Sequence, residues 1–278
     1  MTGLVVKKNA NLFTVECEGK TYSLMPSGKT KAKGIYVGDS VDFNEVIENV
    51  HKRKNILIRP PMANLDKIFI VIAPSPKPDF VLVDKIIIYC HLNDIQPIIV
   101  INKTDISDEQ FIAEVKKDYC DYEIISLSAK SGNVDNLEEK IQGICALAGQ
   151  SAVGKSSLIN AIFKSEGFTE IGDLSAKIER GKQTTRLVSL YKVGQGYLAD
   201  TAGFSLLDLS FVSDITKEEL ASYYPDFLQG RERCKYRSCL HEGGECGVIS
   251  GVKTGQISLR RYQNYLKILQ ELKQSKKY

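Results

Sequence analysis

Gly149-Gln150-Ser151-Ala152-Val153-Gly154-Lys155-Ser156 fits the pattern G-x-x-x-x-G-K-[ST], and no other stretch of the chain restricts its fold as strongly. The apolar run Ile144-Cys145-Ala146-Leu147-Ala148 before it reads as a buried strand, and Ser157-Leu158-Ile159-Asn160-Ala161-Ile162-Phe163 after it reads as a helix. That is the context a phosphate-binding loop needs. Glycines let the backbone wrap phosphates with its N–H groups, and the helix N-terminus adds partial positive charge. Lys155 is then placed to reach β/γ oxygens, and the Ser156 hydroxyl to ligate Mg²⁺. The plainer alternative is a glycine-rich turn before a helix.

The chain of 278 residues has room for about two domains and a small third. Its 43% hydrophobic and 26% charged content is ordinary for a globular protein. No apolar run approaches the roughly 20 residues of a membrane span. The N-terminal stretch lacks a signal-peptide layout, so a cytoplasmic location is expected. Charge is uneven: net +4 over residues 1–62, −7 over 63–220 and +6 over 221–278. Basic ends around an acidic centre point to a polyanion met by the ends; ordinary solvated charge is the alternative.

Residues 4–58 read as β-rich. Leu12–Cys17 and Thr21–Leu24 are short runs separated by Glu18-Gly19-Lys20, a hairpin signal, and Val37–Phe43 adds a turn and strand. Short strands at this spacing suit an OB-fold barrel. Ser27–Gly34, polar, basic and bounded by glycines, reads as a mobile loop, in contact with phosphate or merely solvated. Arg59-Pro60-Pro61-Met62 reads as a linker. Beyond it, Ile68–Ala73 and Ile98–Ile101 are continuous apolar runs with a helical pattern between them from Phe80 to Cys90. With Glu123–Leu127 and the strand before the phosphate loop, they predict a doubly wound α/β domain. The expected division is 1–62 barrel, 63–220 α/β domain and 221–278 C-terminal domain.

Directly after the second of those strands comes Asn102-Lys103-Thr104-Asp105, an N-K-x-D sequence. An Asp carboxylate there can accept both N–H groups on one edge of guanine while the Lys stem lies along the ring. Ser128-Ala129-Lys130, after the next strand, matches a loop that supports the base from its other side. Beyond the phosphate loop and Ser157, Gly181-Lys182-Gln183-Thr184-Thr185 supplies hydroxyls for a switch loop, and Asp200-Thr201-Ala202-Gly203 is a D-x-x-G after a strand. Together these favour GTP over ATP, with Mg²⁺ held by Ser156 and Thr185 and its shell by Asp200. Their order is informative, because N-K-x-D precedes the phosphate loop. Ordinary GTPases run the other way, so this chain is circularly permuted. A site made of loops at one sheet edge survives such rejoining.

Cys234, Cys239, His241 and Cys246 read C-x₄-C-x-H-x₄-C. In a reducing compartment clustered cysteines mean metal before disulfide. Three thiolates and an imidazole make a closed tetrahedral zinc site with a structural role. The other four of the seven cysteines are scattered, as plain thiols are. Arg231, Arg233, Lys235 and Arg237 surround the first ligands, a nucleic-acid signal. Ile257 to Leu272 has helical spacing, its apolar positions expected to pack under the zinc loop.

With these motifs in place the whole chain closely resembles the circularly permuted, ribosome-small-subunit-dependent GTPases of bacteria. The resemblance implies an OB-like barrel, a permuted GTPase core and a zinc domain. It implies GTP hydrolysis to GDP on the small subunit late in its maturation, with ribosomal RNA met by barrel and zinc domain. A monomer without membrane contact is expected. The family's switch stretch reads G-x-H-T-T, and Gln183 stands here in the histidine's place. Catalysis is therefore assigned to Gln183, Thr184, Thr185, Asp200 and Gly203. Phe204 occupies the position after D-x-x-G where many GTPases carry a water-positioning glutamine. The route through potassium used by some permuted relatives is weakened by Ala152. A rival reading is an RNA-binding assembly factor whose nucleotide site senses without appreciable turnover.

Overall fold

A computed structural model describes residues 1–58, 60–165, 188–200 and 215–275, without the side chains of Ala32, Lys33, Ser165, Asp200 and Ser275. The first part is a small barrel of β1 (Thr2–Asn9), β2 (Leu12–Cys17), β3 (Lys20–Leu24), β4 (Ser40–Phe43) and β5 (Ile47–Val50), with α1 (Gly28–Lys33) between β3 and β4. Glu18 and Gly19, both at positive φ, make the tight β2–β3 turn. Alternate residues, among them Val5, Phe13, Val15, Val41 and Phe43, point inward to one apolar cluster. This is the OB-like arrangement expected from the strand spacing.

Two local expectations give way. The stretch read as a mobile basic loop is α1, capped by the Ser27 hydroxyl accepting from Thr30 N–H. Thr30 is buried, its hydroxyl donating to the Ile47 carbonyl at 2.9 Å, which ties the turn to the barrel. Of the stretch read as a linker, Pro61 and Met62 belong to an antiparallel ribbon, β6 (Ile56–Ile58) with β7 (Pro61–Ala63). Its paired residues Leu57 and Met62 are fully buried in the same cluster as Ile68. A proline is tolerated there because a two-stranded ribbon leaves one side of each strand unpaired.

The central sheet has the order β10 (Glu123–Ser126), β9 (Gln96–Ile101), β8 (Lys67–Ile72), β11 (Gly143–Ala148), β13 (Gly196–Asp200), β12 (Ser189–Val193). The first five are parallel and β12 runs antiparallel to β13. Strand β12, not anticipated from sequence, pairs with β1 at Ser189 and Lys7, so barrel and core share one continuous sheet.

The unbroken apolar runs are explained by burial on both faces. Ile68, Ile70, Ile72, Ile99, Ile101, Ile144 and Ala146 pack in one cluster; Phe69, Val71, Ile98, Val100, Cys145 and Leu147 pack in another. Alternation along each strand assigns the faces. The first face is covered by α2 (Phe80–Leu92), the second by α5 (Lys155–Ser165), whose Leu158, Ile159, Ile162 and Phe163 are buried. Each such isoleucine contributes about 1.5–3 kcal/mol on burial. Between these elements lie α3 (Glu109–Asp118) and the short α4 (Asp135–Glu138).

The C-terminal part comprises α6 (Leu228–Glu232), α7 (Gly247–Lys253) and α8 (Leu259–Ser275). Helix α8 lies against α2 through a buried polar contact. The Arg261 guanidinium meets the Asp84 carboxylate of α2 and reaches Asp226 at 3.1 Å, and the Asn264 amide donates to Asp84 at 2.9 Å. Tyr119 and Tyr224 flank the guanidinium. Among the described residues no helix is long and apolar enough to cross a membrane.

Candidate functional site

Strands β8, β9, β10 and β11 are parallel, so the segments after Ile72, Ile101, Ser126 and Ala148 emerge at one edge of the sheet. Ligands of open α/β sheets bind beyond such carboxyl ends. The phosphate loop, the N-K-x-D stretch and the S-A-K loop are thereby brought together at one edge.

The loop from Gly149 to Gly154 is shaped by backbone angles that side chains resist. Gly149 and Gly154 have φ of 133° and 99°. A Cβ at Gly149 would lie 2.3 Å from the Val71 carbonyl oxygen, and one at Gly154 2.3 Å from Asn102 Nδ2. Ala152 accepts the left-handed region at φ 62°. The Lys155 ammonium donates to the carbonyls of Gly149 at 2.7 Å and Gln150 at 2.6 Å, and its burial lowers its pKa. Ser151, Ser156 and Ser157 are exposed, whereas Val153 is buried and anchors the loop in the α5-side cluster.

Asn102 was expected at the base, yet both ends of its amide are used inside the protein. Nδ2 donates to the Val153 carbonyl at 2.9 Å, and Oδ1 accepts from Ala129 N–H at 3.0 Å. The residue is 1% exposed and holds the phosphate loop to the S-A-K loop. Lys103 is at φ 61°, and its ammonium donates to the carbonyls of Ser75 and Ala152, each at 2.8 Å. Its stem thus spans from N-K-x-D to the phosphate loop. Asp105 follows in a short 3₁₀ turn with Thr104. The Ser128 hydroxyl donates to its Oδ1 at 2.6 Å and Lys130 lies 3.9 Å from Oδ2. The Ser128 bond first, and these lysines less, hold the Asp105 carboxyl below its ordinary value.

Sequence reasoning missed the segment between β8 and α2. The Gln150 side-chain carbonyl accepts from Asp79 N–H at 3.0 Å, and Asp79 caps α2 by accepting from Leu82 N–H. The available signal was position alone, since 73–79 follows a strand at the carboxyl edge. Gln183, Thr184, Thr185, Gly203 and Phe204 lie outside the described residues, as does the side chain of Asp200 at the end of β13.

Cys234, Cys239, His241 and Cys246 come together, their ligand atoms all within 4.8 Å of one another. The Cys234 and Cys246 sulfurs are 3.8 Å apart, and His241 Nδ1 is 3.5 Å and 3.4 Å from them. Tetrahedral geometry at Zn–S of about 2.3 Å and Zn–N of about 2.0–2.1 Å requires separations of roughly 3.8 and 3.5 Å. The donor set fits a structural metal. As expected, α8 supports the loop: the Tyr262 hydroxyl donates to the His241 carbonyl at 2.8 Å and that of Tyr265 to the Leu240 carbonyl at 3.0 Å. The scattered thiols Cys90 and Cys145 are buried, and burial pushes Cys145 up to about 12.

The family model for RsgA GTPase matches residues 50–210. A protein of Clostridium beijerinckii with the name small ribosomal subunit biogenesis GTPase RsgA is 36% identical, over 100% of this chain and 99% of its own. The crystal structure of YjeQ from Thermotoga maritima superposes with a TM-score of 0.81 at 35% identity, covering 98% of both chains. That of YloQ, described as a circularly permuted GTPase, gives 0.79 at 29% identity, covering 100% of this chain and 96% of the other. With a family match over more than half of its length and a relative aligned end to end, this chain belongs to the RsgA GTPase family.

Proposed function

We propose that this chain is a GTP hydrolase that acts on the small ribosomal subunit late in its maturation and is stimulated by it. The observation that carries the reading is the single edge at which N-K-x-D, S-A-K and the phosphate loop are joined by Asn102 and Lys103. A pocket with an oriented aspartate on one side and a lysine-bearing phosphate loop on the other suits a guanine nucleotide.

In this reading Asp105 takes the guanine edge, with Ser128, Ala129 and Lys130 behind the base. Gly149 to Ser157 cradles the phosphates. Lys155 exchanges its two carbonyl partners for phosphate oxygens. Ser156, exposed on the first turn of α5, would hold Mg²⁺; Thr185 is assigned as its second ligand and Asp200 to its shell by their motifs. Mg²⁺ held there would supply positive charge against the charge that develops on the phosphates. Gln183 orients the attacking water, Thr184 or Thr185 closes on the γ-phosphate, and Gly203 reports its presence.

Zinc is the metal proposed for the three thiolates and His241, since its preferred geometry matches their spacing. The working parts are 1–62, 63–220 and 221–278, with the barrel and zinc loop facing ribosomal RNA. A cytoplasmic monomer is the proposed state. Co-sedimentation with purified small subunits tests the reading. Binding is expected with a non-hydrolysable GTP analogue and release with GDP; indifference to nucleotide contradicts it.

A further inference from the structure

Among the described residues Tyr236 is the one Phe or Tyr left exposed, at 65%. Its place is fixed rather than incidental. It lies between Cys234 and Cys239, two members of the metal cluster, and its carbonyl accepts from Cys239 N–H at 3.2 Å. With both ends of so short a loop drawn into the Cys234–Cys239–His241–Cys246 cluster, the ring stands out of the core. Around it stand Arg233, Lys235 and Arg237, all exposed, with the Lys235 ammonium 5.7 Å from the ring centroid. Among the described residues Arg233 and Arg237 make no ion pair, and Lys235 has only a wide 3.9 Å approach to Glu245.

We propose that the Cys234–Cys239 loop is a base-stacking platform for RNA. The Tyr236 ring takes the face of an unpaired base while Arg233, Lys235 and Arg237 meet flanking phosphates. This rests on the small-subunit reading and names the ligand chemistry of one part of it. A protein partner is disfavoured because Arg233, Lys235 and Arg237 put charge of one sign within three positions of the ring, which a phosphate backbone neutralises as a whole. Paired RNA is disfavoured because the deep, narrow major groove of an A-form helix shuts out side chains, and an aromatic face needs a base splayed out of its stack. A ring presented with cations at its sides meets both requirements of single-strand binding, stacking and phosphate neutralisation.

The test uses the full zinc-loaded chain and its Tyr236→Ala and Tyr236→Phe variants. Two readouts are taken: affinity for purified small subunits, and quenching of a short single-stranded RNA carrying one 2-aminopurine, against a fully paired hairpin. Tyr236→Ala is expected to weaken both by roughly 5- to 150-fold, the range of a lost base stack. Tyr236→Phe keeps the ring and stays within about two-fold of the parent. Basal GTP turnover is unchanged in both, which shows that the fold is intact. The proposal is overturned if Tyr236→Ala binds like the parent, if Tyr236→Phe loses as much as Tyr236→Ala, or if the paired hairpin is affected equally. Should the parent chain ignore small subunits yet quench the single strand through Tyr236, the small-subunit reading fails and the platform stands.

Discussion

Asn102 Nδ2 donates to the Val153 carbonyl at 2.9 Å, so the N-K-x-D stretch is tied directly to the loop from Gly149 to Gly154. Its Oδ1 meanwhile accepts from Ala129 N–H. Asn102→Ala leaves a buried carbonyl and a partly buried N–H unpaired, at a cost of about 1–3 kcal/mol. GTP and GDP affinity should fall together by roughly 10- to 100-fold, measured by titration calorimetry. Loss of GTP binding alone would mean that Asn102 acts on the γ-phosphate side.

Base choice should rest on Asp105. Asp105→Asn supplies an N–H where the carboxylate only accepts, and should move preference from guanosine to xanthosine nucleotides. The same carboxylate must be ionised to bind guanine, and the Ser128 hydroxyl helps to hold it low. GTP binding should therefore survive into acid solution in the parent chain, and Ser128→Ala should move its acid limb to higher pH. An Asp105→Asn variant that still prefers GTP would displace the base pocket.

Arg261 faces Asp84 and Asp226 in the interior. Removing one side of such a contact costs about 3–5 kcal/mol, so Arg261→Met should destabilise by that order, and adding Asp84→Leu should recover much of it. Burial already pushes the Asp84 carboxyl up, and without Arg261 it rises further. A carboxyl raised in the folded state favours folding below its unfolded value of about 3.9 and loses that contribution as pH rises through the folded value. Arg261→Met should thus be closer to the parent in acid than at neutral pH in denaturant titrations. A pH-independent difference would contradict this.

Chelation of the metal, or Cys239→Ser, should release the loop around 234–246 while α8 stays docked through Arg261 and Asp84. Hydrogen exchange should rise in the loop and remain low in α2, with GTP affinity changed little and subunit affinity lost. Parallel loss of nucleotide binding would show that the loop supports the core directly.

What the sequence disclosed is what local pattern encodes. The apolar runs around Ile70 and Val100 announce strands buried on both faces because their alternate residues enter two cores. The phosphate loop announces itself because its φ angles and close approaches admit few residues. What escaped reading depends on distant partners. Thr30 makes a turn of helix out of an apparently mobile loop by bonding to Ile47, and Met62 turns a proline-rich linker into a ribbon by pairing with Leu57. Nothing local in the sequence marks Arg261 for the interior; its place there depends on Asp84 of α2. The partners of Asn102 and Gln150 exist only once four strands end at one edge.

Multiple-turnover phosphate release from GTP, with small subunits, large subunits or neither, tests the account most directly. Turnover should be slow alone, since Phe204 offers no hydrogen bond to the attacking water. It should rise by on the order of 10³–10⁵ with small subunits as positioning is completed, and not with large ones. Gln183→Ala should remove most of that rise with little change in GTP affinity. A chain that hydrolyses GTP no faster with small subunits than with large ones would contradict the account.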